Sequence, residues 1–246
     1  MYDLIIIGGG PAGLTASIYA IRKRINALTI TQDLGGKTNY HLKLPWVHDY
    51  QVIRGTEMVS KFKQELEYLD FAHEMDMVTK VSKIESGFLV ETKSGETYKA
   101  RALILANGVR LRWLDVPGEK EFLSRGVCYS AISYAPLFID RVTAVYGEGE
   151  IALRSAVELA TIAKKVNLIG PIEAAMDSPF GHKLKNDEKV TVYAGYKIKK
   201  ISGDEYANHV SLESPDGSPV ELKTDCVFVE KDLVPNTEYV KNLVEL

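Results

Sequence analysis

The sequence predicts an α/β protein built from two nucleotide-type half-sheets, and three observations carry that expectation. The chain opens on a short apolar run, Leu4-Ile5-Ile6-Ile7, rich in β-branched residues and suited to a strand buried on both faces of a parallel sheet. Gly8, Gly10 and Gly13 follow at Gly-x-Gly-x-x-Gly spacing, directly ahead of a helical stretch. The pattern then recurs, with a strand-like run at 142–146, the Gly-x-Gly-x-x-Ala turn Gly147-Glu148-Gly149-Glu150-Ile151-Ala152, and a second helix. Two such half-sheets in one chain are far more specific than a single glycine turn, which alone is often only a turn.

In the first half-sheet each glycine has a physical task. Gly8 allows the tight turn, Gly10 lets a pyrophosphate approach the backbone, and Gly13 lets the helix pack on its strand, with Pro11 and Ala12 between them. The helix N-terminus then presents its N–H groups and dipole to an anion. The helix is expected over 14–24, and its closing Arg22, Lys23 and Arg24 suit the negative end of the same dipole. Residues 27–31, Ala-Leu-Thr-Ile-Thr, form a second strand. Its end is where such folds usually place an acidic ribose ligand, and here it offers Thr31 and Gln32, with Asp33 just beyond. Gly35, Gly36 and Lys37 form a flexible turn that either lies against a cofactor or is a plain loop.

Residues 41–54 lack periodicity and read as a crossing loop; His41 and His48 have no Cys or carboxylate at ligand spacing, so no metal site is expected. A helix is expected over 56–69, with Met58, Val59, Phe62, Leu66 and Leu69 on its apolar face. Residues 78–103 read as a small antiparallel meander leading into a buried-type strand at 102–106, which ends in Ala106-Asn107-Gly108. That end either brings backbone to the same cofactor or is an ordinary strand end.

The Pro117-Gly118 turn within 111–121 marks a connector and a domain boundary. In the second half-sheet a helix is expected over 153–165, ending in Lys164 and Lys165, and a strand over 166–169. Gly170 follows Gly147 at the interval at which Thr31 follows Gly8. The candidate nucleotide residues here are Gly147, Gly149 and Ala152, but Glu148 and Glu150 put negative charge into a turn meant for pyrophosphate. Gly170-Pro171 supplies neither a carboxylate for a free 2′-hydroxyl nor arginines for a 2′-phosphate, and Glu173 serves only if its loop folds back. Strands are expected at 190–193, 196–201, 210–212, 220–223 and 226–229.

The 246 residues and a formal net charge of −3 give no general attraction to nucleic acid or anionic membrane. No apolar run approaches the roughly 20 residues that span a bilayer, and a cytoplasmic protein is expected. The two cysteines, Cys128 and Cys226, lie far apart in sequence and form no Cys-x-x-Cys pair; Cys128 is expected to be a buried structural thiol without a nearby partner.

With both turns placed, the chain resembles the low-molecular-weight thioredoxin reductases of the pyridine-nucleotide disulfide oxidoreductase family, from Tyr2 to Leu246. The resemblance rests on the opening Gly8-Gly9-Gly10-Pro11-Ala12-Gly13, on Gly35-Gly36-Lys37, on Ala106-Asn107-Gly108, and on Val116-Pro117-Gly118-Glu119. Gly126-Val127, the second glycine turn and Val234-Pro235-Asn236-Thr237 extend it. It implies two Rossmann-type three-layer domains, the second inserted into the first: an FAD-binding domain over 1–111 and 237–246, and an NAD(P)-binding-like domain over 112–236. It also implies FAD, NADH or NADPH, a small redox protein as acceptor, and a homodimer.

Three departures shape the functional expectation. Ser130 and Ser133 occupy the positions of the family's redox cysteines, and serine hydroxyls cannot exchange a disulfide. Gly170-Pro171 replaces the family's basic cluster, so an NADPH preference does not carry over. The chain also ends before the family's return segment with its Gly-Asp motif, so a fragment of a longer enzyme is one expectation. The leading expectation is an FAD-dependent oxidoreductase that passes electrons from reduced pyridine nucleotide to an acceptor without a redox disulfide. The alternative is a non-catalytic dinucleotide-binding or scaffold protein.

Overall fold

The computed structural model describes residues 1–47, 55–241 and 243. The chain divides into two compact units, one comprising Met1–His41, Asp49–Arg110 and Val234–Leu246, the other Leu42–His48 and Leu111–Leu233. His48 and the remainder of the expected crossing loop through residue 54 lie outside the described residues.

The first unit is built on strands β1 (Tyr2–Ile7), β2 (Ala27–Thr31), β3 (His73–Met75), β4 (Val78–Ile84), β5 (Gly87–Thr92) and β6 (Thr97–Leu105). They form one sheet in the order β3-β2-β1-β6-β5-β4. β3, β2, β1 and β6 run parallel, while β4 and β5 are antiparallel additions. The meander and the strand expected after it are therefore continuous: β6 pairs β5 through residues such as Tyr98 and Ala100 and pairs β1 out to Leu105. The expectation that 102–106 is a buried-type strand is corrected: Ala102, Ile104 and Leu105 are exposed and Leu103 and Ala106 half-buried, since the pairing with β5 stops at Ala100 and β6 runs on beside β1 alone.

β1 is buried on both faces, as its β-branched run requires. Ile5 and Ile7 meet Leu28, Ile30, Val81, Val90 and Val240 on one side, while Ile6 lies with Ala20 and Ala27 on the other. Helix α1 (Pro11–Arg22) and helix α2 (Gly55–Glu67) form the remaining layer, closed by Leu14, Ile18, Leu34, Val59 and Leu66.

Helix α1 begins three residues before its sequence-based start because Pro11 sits in its first turn, where proline's missing N–H costs no helical bond. It ends at Arg22, since Arg24 takes a left-handed φ of 58°. Leu69 falls beyond α2, and Met58's side chain is outside the described set.

A short antiparallel pair completes this unit. Strand β7 (Val109–Arg110) is joined by a strand from the end of the chain, Val234–Pro235.

The second unit has a parallel sheet containing β8 (Val127–Cys128), β9 (Val142–Gly147), β10 (Lys165–Gly170), β11 (Val190–Ala194) and a later strand, Cys226–Glu230. Between them run the antiparallel β12 (Lys197–Gly203), β13 (Ala207–Glu213) and β14 (Pro219–Lys223). In chain order Cys226–Glu230 is β15 and Val234–Pro235 is β16, and the parallel sheet has the order β11-β10-β9-β15-β8.

Among the described residues three α-helices belong to this unit: α3 (Ala131–Tyr134), α4 (Gly149–Ala160) and α5 (Pro179–Lys185). Helix α4 starts and stops earlier than its sequence suggests. Lys164 and Lys165 are not its last turn; both amides donate to the Arg141 carbonyl, which turns the chain into β10. Short α5 is not legible as periodicity, but Ser178 caps it by accepting from Gly181 N at 3.3 Å.

The Pro-Gly connector is organised by the fully buried Glu119. Its carboxylate accepts the amides of Leu114 and Asp115 at 2.8 Å and the Tyr129 hydroxyl at 2.5 Å. Those bonds replace the hydration that burial removes. Gly118, with φ of 86°, lies so close to β12 that a Cβ would stand 1.9 Å from the Ile201 carbonyl oxygen.

Candidate functional site

In the first unit β1 delivers the chain into a turn that only glycine can make. Gly8 has φ of 113°, and a Cβ there would meet the Ala106 carbonyl oxygen at 2.3 Å. A Cβ on Gly13 would stand 1.8 Å from the Gly8 carbonyl, so this glycine sets how closely α1 rests on the turn.

Gly10 differs from both. It is the N-cap of α1 with ordinary extended geometry and has open space where its Cβ would be. No side chain caps α1, and Pro11 and Ala12 are exposed in its first turn. The free amides of that turn, beside a backbone that carries no side chain, form a concave donor surface for an anion.

Two further segments border this turn. Gly35 N donates to the Gly9 carbonyl at 2.8 Å, and a Cβ on Gly36 would lie 3.1 Å from Gly10 Cα. The Gly35-Gly36-Lys37 turn therefore sits against the glycine turn. Desolvation pulls the Lys37 ammonium below its ordinary pKa.

Thr31 is buried and spends its hydroxyl on the Asp33 carbonyl at 2.7 Å, while the exposed Asp33 carboxylate accepts from Gly36 N at 2.7 Å. From the other side Ala106 N donates to the Ile7 carbonyl at 2.8 Å, and Gly108 takes φ of 59° with open space around it.

Asn107 is fixed by a residue that sequence reading did not nominate. Its side-chain amide donates to the Asn236 carbonyl, and Asn236 returns the bond from Nδ2 to the Asn107 carbonyl at 2.9 Å. Asn236 N also donates to the Gly108 carbonyl at 3.1 Å. The signal for this clasp was the Val-Pro-Asn-Thr stretch itself, which carries a polar residue where β16 ends.

In the second unit Gly147 closes the end of β9. A Cβ there would meet the Glu230 carbonyl oxygen at 2.3 Å and Ala152 Cβ at 2.8 Å, which accounts for both small residues of the turn. Gly149 has φ of 61° and open space beside it. Glu148 and Glu150 are exposed, and Glu150 is paired with Arg154 at 2.8 Å along α4. Arg154 therefore offsets one of the two negative charges in this turn.

Ser130 and Ser133 are brought together at the start of α3. Their hydroxyls lie 2.9 Å apart, and Ser130 holds φ of 112°. Ala131 N donates to Glu230 Oε1 at 2.6 Å, and burial raises the pKa of that carboxyl. The expectation that Cys128 lacks a neighbour is corrected: Cys226 Sγ lies 3.4 Å from Cys128 Sγ, because β15 joins β8 directly in the sheet. Among the described residues no group of three or more His, Cys, Asp or Glu side chains could hold a metal ion.

The arrangement of two glycine turns, each at the end of a strand paired in parallel on both sides, agrees with a family comparison. The model of the pyridine nucleotide-disulphide oxidoreductases matches residues 2–245. The chain belongs to this family. Members of the pyridine nucleotide-disulphide oxidoreductase family bind FAD and NAD(P)H.

Among curated members, the chain is 30% identical over 251 residues to an NADH dehydrogenase of Bacillus subtilis (strain 168), covering 99% of this chain and 48% of that protein. It is 29% identical to a component of the alkyl hydroperoxide reductase of Staphylococcus epidermidis, covering 100% of this chain and 49% of the relative. The chain thus spans about half the length of these curated relatives.

Among solved structures it superposes on thioredoxin reductase from Streptococcus pyogenes with a TM-score of 0.84 and 30% identity, covering 99% of this chain and 80% of that one. Thioredoxin reductase from Giardia duodenalis gives a TM-score of 0.79 at 25% identity, with 97% and 79% coverage.

Proposed function

We propose that this chain is an FAD-dependent oxidoreductase that takes electrons from reduced pyridine nucleotide and passes them to a small redox protein, with no disulfide at Ser130 and Ser133. The observation that carries this reading is the open backbone at Gly10 on the uncapped N-terminus of α1. Gly8, Gly13, Gly35 and Gly36 shape that cradle, Pro11 and Ala12 form its floor, and Ala106 to Gly108 border it. Bound FAD would supply the acceptance of hydride and the release of electrons, and the chain would supply position and electrostatics.

NADH is the proposed donor. One relative is named an NADH dehydrogenase, and the end of β10 carries no arginine pair for a 2′-phosphate. Glu173 stands near that end, its Oε1 2.7 Å from where a Gly195 Cβ would be, and its carboxylate suits a free 2′-hydroxyl. A second reading has one specific support. Glu148, exposed at the N-cap of α4 with no side-chain capping bond, opposes a pyrophosphate and favours a unit that holds its fold without turnover.

The test of the flavin site is FAD binding by the purified chain, wild type against Gly10→Ala. The added methyl occupies the open space and is expected to weaken FAD binding at least 10-fold while the circular dichroism spectrum stays unchanged. Equal binding by the two proteins would remove Gly10 from the site.

A further inference from the structure

We infer that Cys128 and Cys226 form a peroxide-driven, reversible disulfide that staples the edge of the second unit's parallel sheet. The two thiols are 98 positions apart in sequence, yet Cys226 Sγ lies 3.4 Å from Cys128 Sγ inside one apolar cluster. The register places Cys128 opposite Phe228 on the neighbouring parallel strand, and Cys226 stands two residues earlier on β15, hence on the same face. Because the pair is diagonal, closing the sulfurs to the disulfide length of about 2.0 Å draws the edge strand along with the side chains.

The two cysteines differ in what holds them. Cys226 is fully buried on β15, which has a neighbour on each side, and burial raises its thiol pKa well above the ordinary value. Cys128 is on β8, the outermost strand of the sheet and only two residues long. Val127 and Cys128 are both buried, so an oxidant reaches Cys128 only when this two-residue edge strand opens locally, and it does so ahead of Cys226, whose strand is paired on both sides.

A neighbouring pocket of about 260 Å³, lined by Trp46, Tyr206, Ala207 and Asp225 among others, reaches the residue that precedes Cys226. Trp46 packs on the cluster that holds both thiols. A small neutral oxidant such as a peroxide fits this setting.

The chemistry balances in two steps. The Cys128 thiolate attacks one peroxide oxygen, the O–O bond breaks, and one water leaves after protonation, giving a sulfenic acid. The Cys226 sulfur then attacks the Cys128 sulfur, the S–O bond breaks, and a second water carries off the hydroxyl. Two thiols and one hydrogen peroxide become one disulfide and two waters. A dithiol reductant reverses the change. Ser130, two residues beyond Cys128, and Glu230, four beyond Cys226, take no part in it.

The test is intact-mass analysis of the reduced, natively folded chain during hydrogen peroxide treatment, with non-reducing peptide mapping and thermal melting. The expected product is a monomer that has lost two hydrogens, with one peptide pair joining Cys128 to Cys226, restored by dithiothreitol. Its melting temperature is expected to rise by about 10 °C, because the bond closes a long loop. Cys128→Ser and Cys226→Ser chains are expected neither to lose the two hydrogens nor to gain the stabilisation. Should either variant fail to fold, the peptide map of the wild-type chain decides. Unchanged thiols, sulfinic acid without a cross-link, a disulfide-linked dimer, or a cross-link that leaves the melting temperature unchanged would each overturn the inference.

Discussion

Tyr239 carries a hydroxyl that is buried among Val240, Ile5 and their neighbours and meets no hydrogen-bond partner among the described residues. Burial pushes its pKa up to about 12. Tyr239→Phe removes that unpaired group and keeps the ring, so stability is expected to rise by about 1 kcal/mol in a denaturant titration. Glu230 presents the opposite case, a buried carboxylate with a partner. Its pKa is raised, chiefly by burial, even though Ala131 N donates to it. The folded state therefore holds the proton to higher pH than the unfolded chain does. The stability linked to this group is fully present below the ordinary glutamate value and is lost as pH rises through the raised one. Glu230→Gln keeps an acceptor for Ala131 N without the charge. It is expected to melt a few degrees above wild type at pH 7, with the difference shrinking as pH falls toward the ordinary glutamate value of 4.5; a constant difference would contradict this assignment.

The glycine turns show which parts of a site are written locally. Gly8→Ala forces a left-handed residue against the Ala106 carbonyl and is expected to cost about 3 kcal/mol, whereas Gly10→Ala has room and is expected to change stability by less than about 1 kcal/mol. Chemical denaturation of the two variants checks the contrast. Gly8 and Gly13 are legible in the sequence because a backbone constraint leaves glycine as its trace. Other features are not written that way. The Asn107–Asn236 clasp and the Cys128–Cys226 contact join residues far apart in the chain, and neither follows from spacing. The cysteines meet because β15, late in sequence, inserts between β9 and β8. The exact ends of α1 and α4 were missed for local reasons, a proline that starts one helix early and a carbonyl at Arg141 that draws Lys164 and Lys165 out of the other.

At the scale of the whole molecule, two units each place a glycine turn at the end of a buried parallel strand, and the chain between β7 and β16 supplies most of the second unit. The two half-sheets were legible because the strand, turn and helix pattern occurs twice, whereas the insertion of one unit into the other was implied only by the family resemblance. The Ser130 and Ser133 hydroxyls, three residues apart in sequence, lie 2.9 Å from each other at the start of α3. Among the described residues no helix is long and apolar enough to cross a membrane. The proposed function puts a flavin reducible by pyridine nucleotide on the first turn. The most direct measurement is the visible absorption of the FAD-loaded chain during anaerobic titration with NADH and, separately, NADPH. The predicted result is a flavin band that bleaches with NADH at lower concentration than with NADPH. A bound flavin that neither nucleotide bleaches, or a chain that binds no FAD, would contradict it.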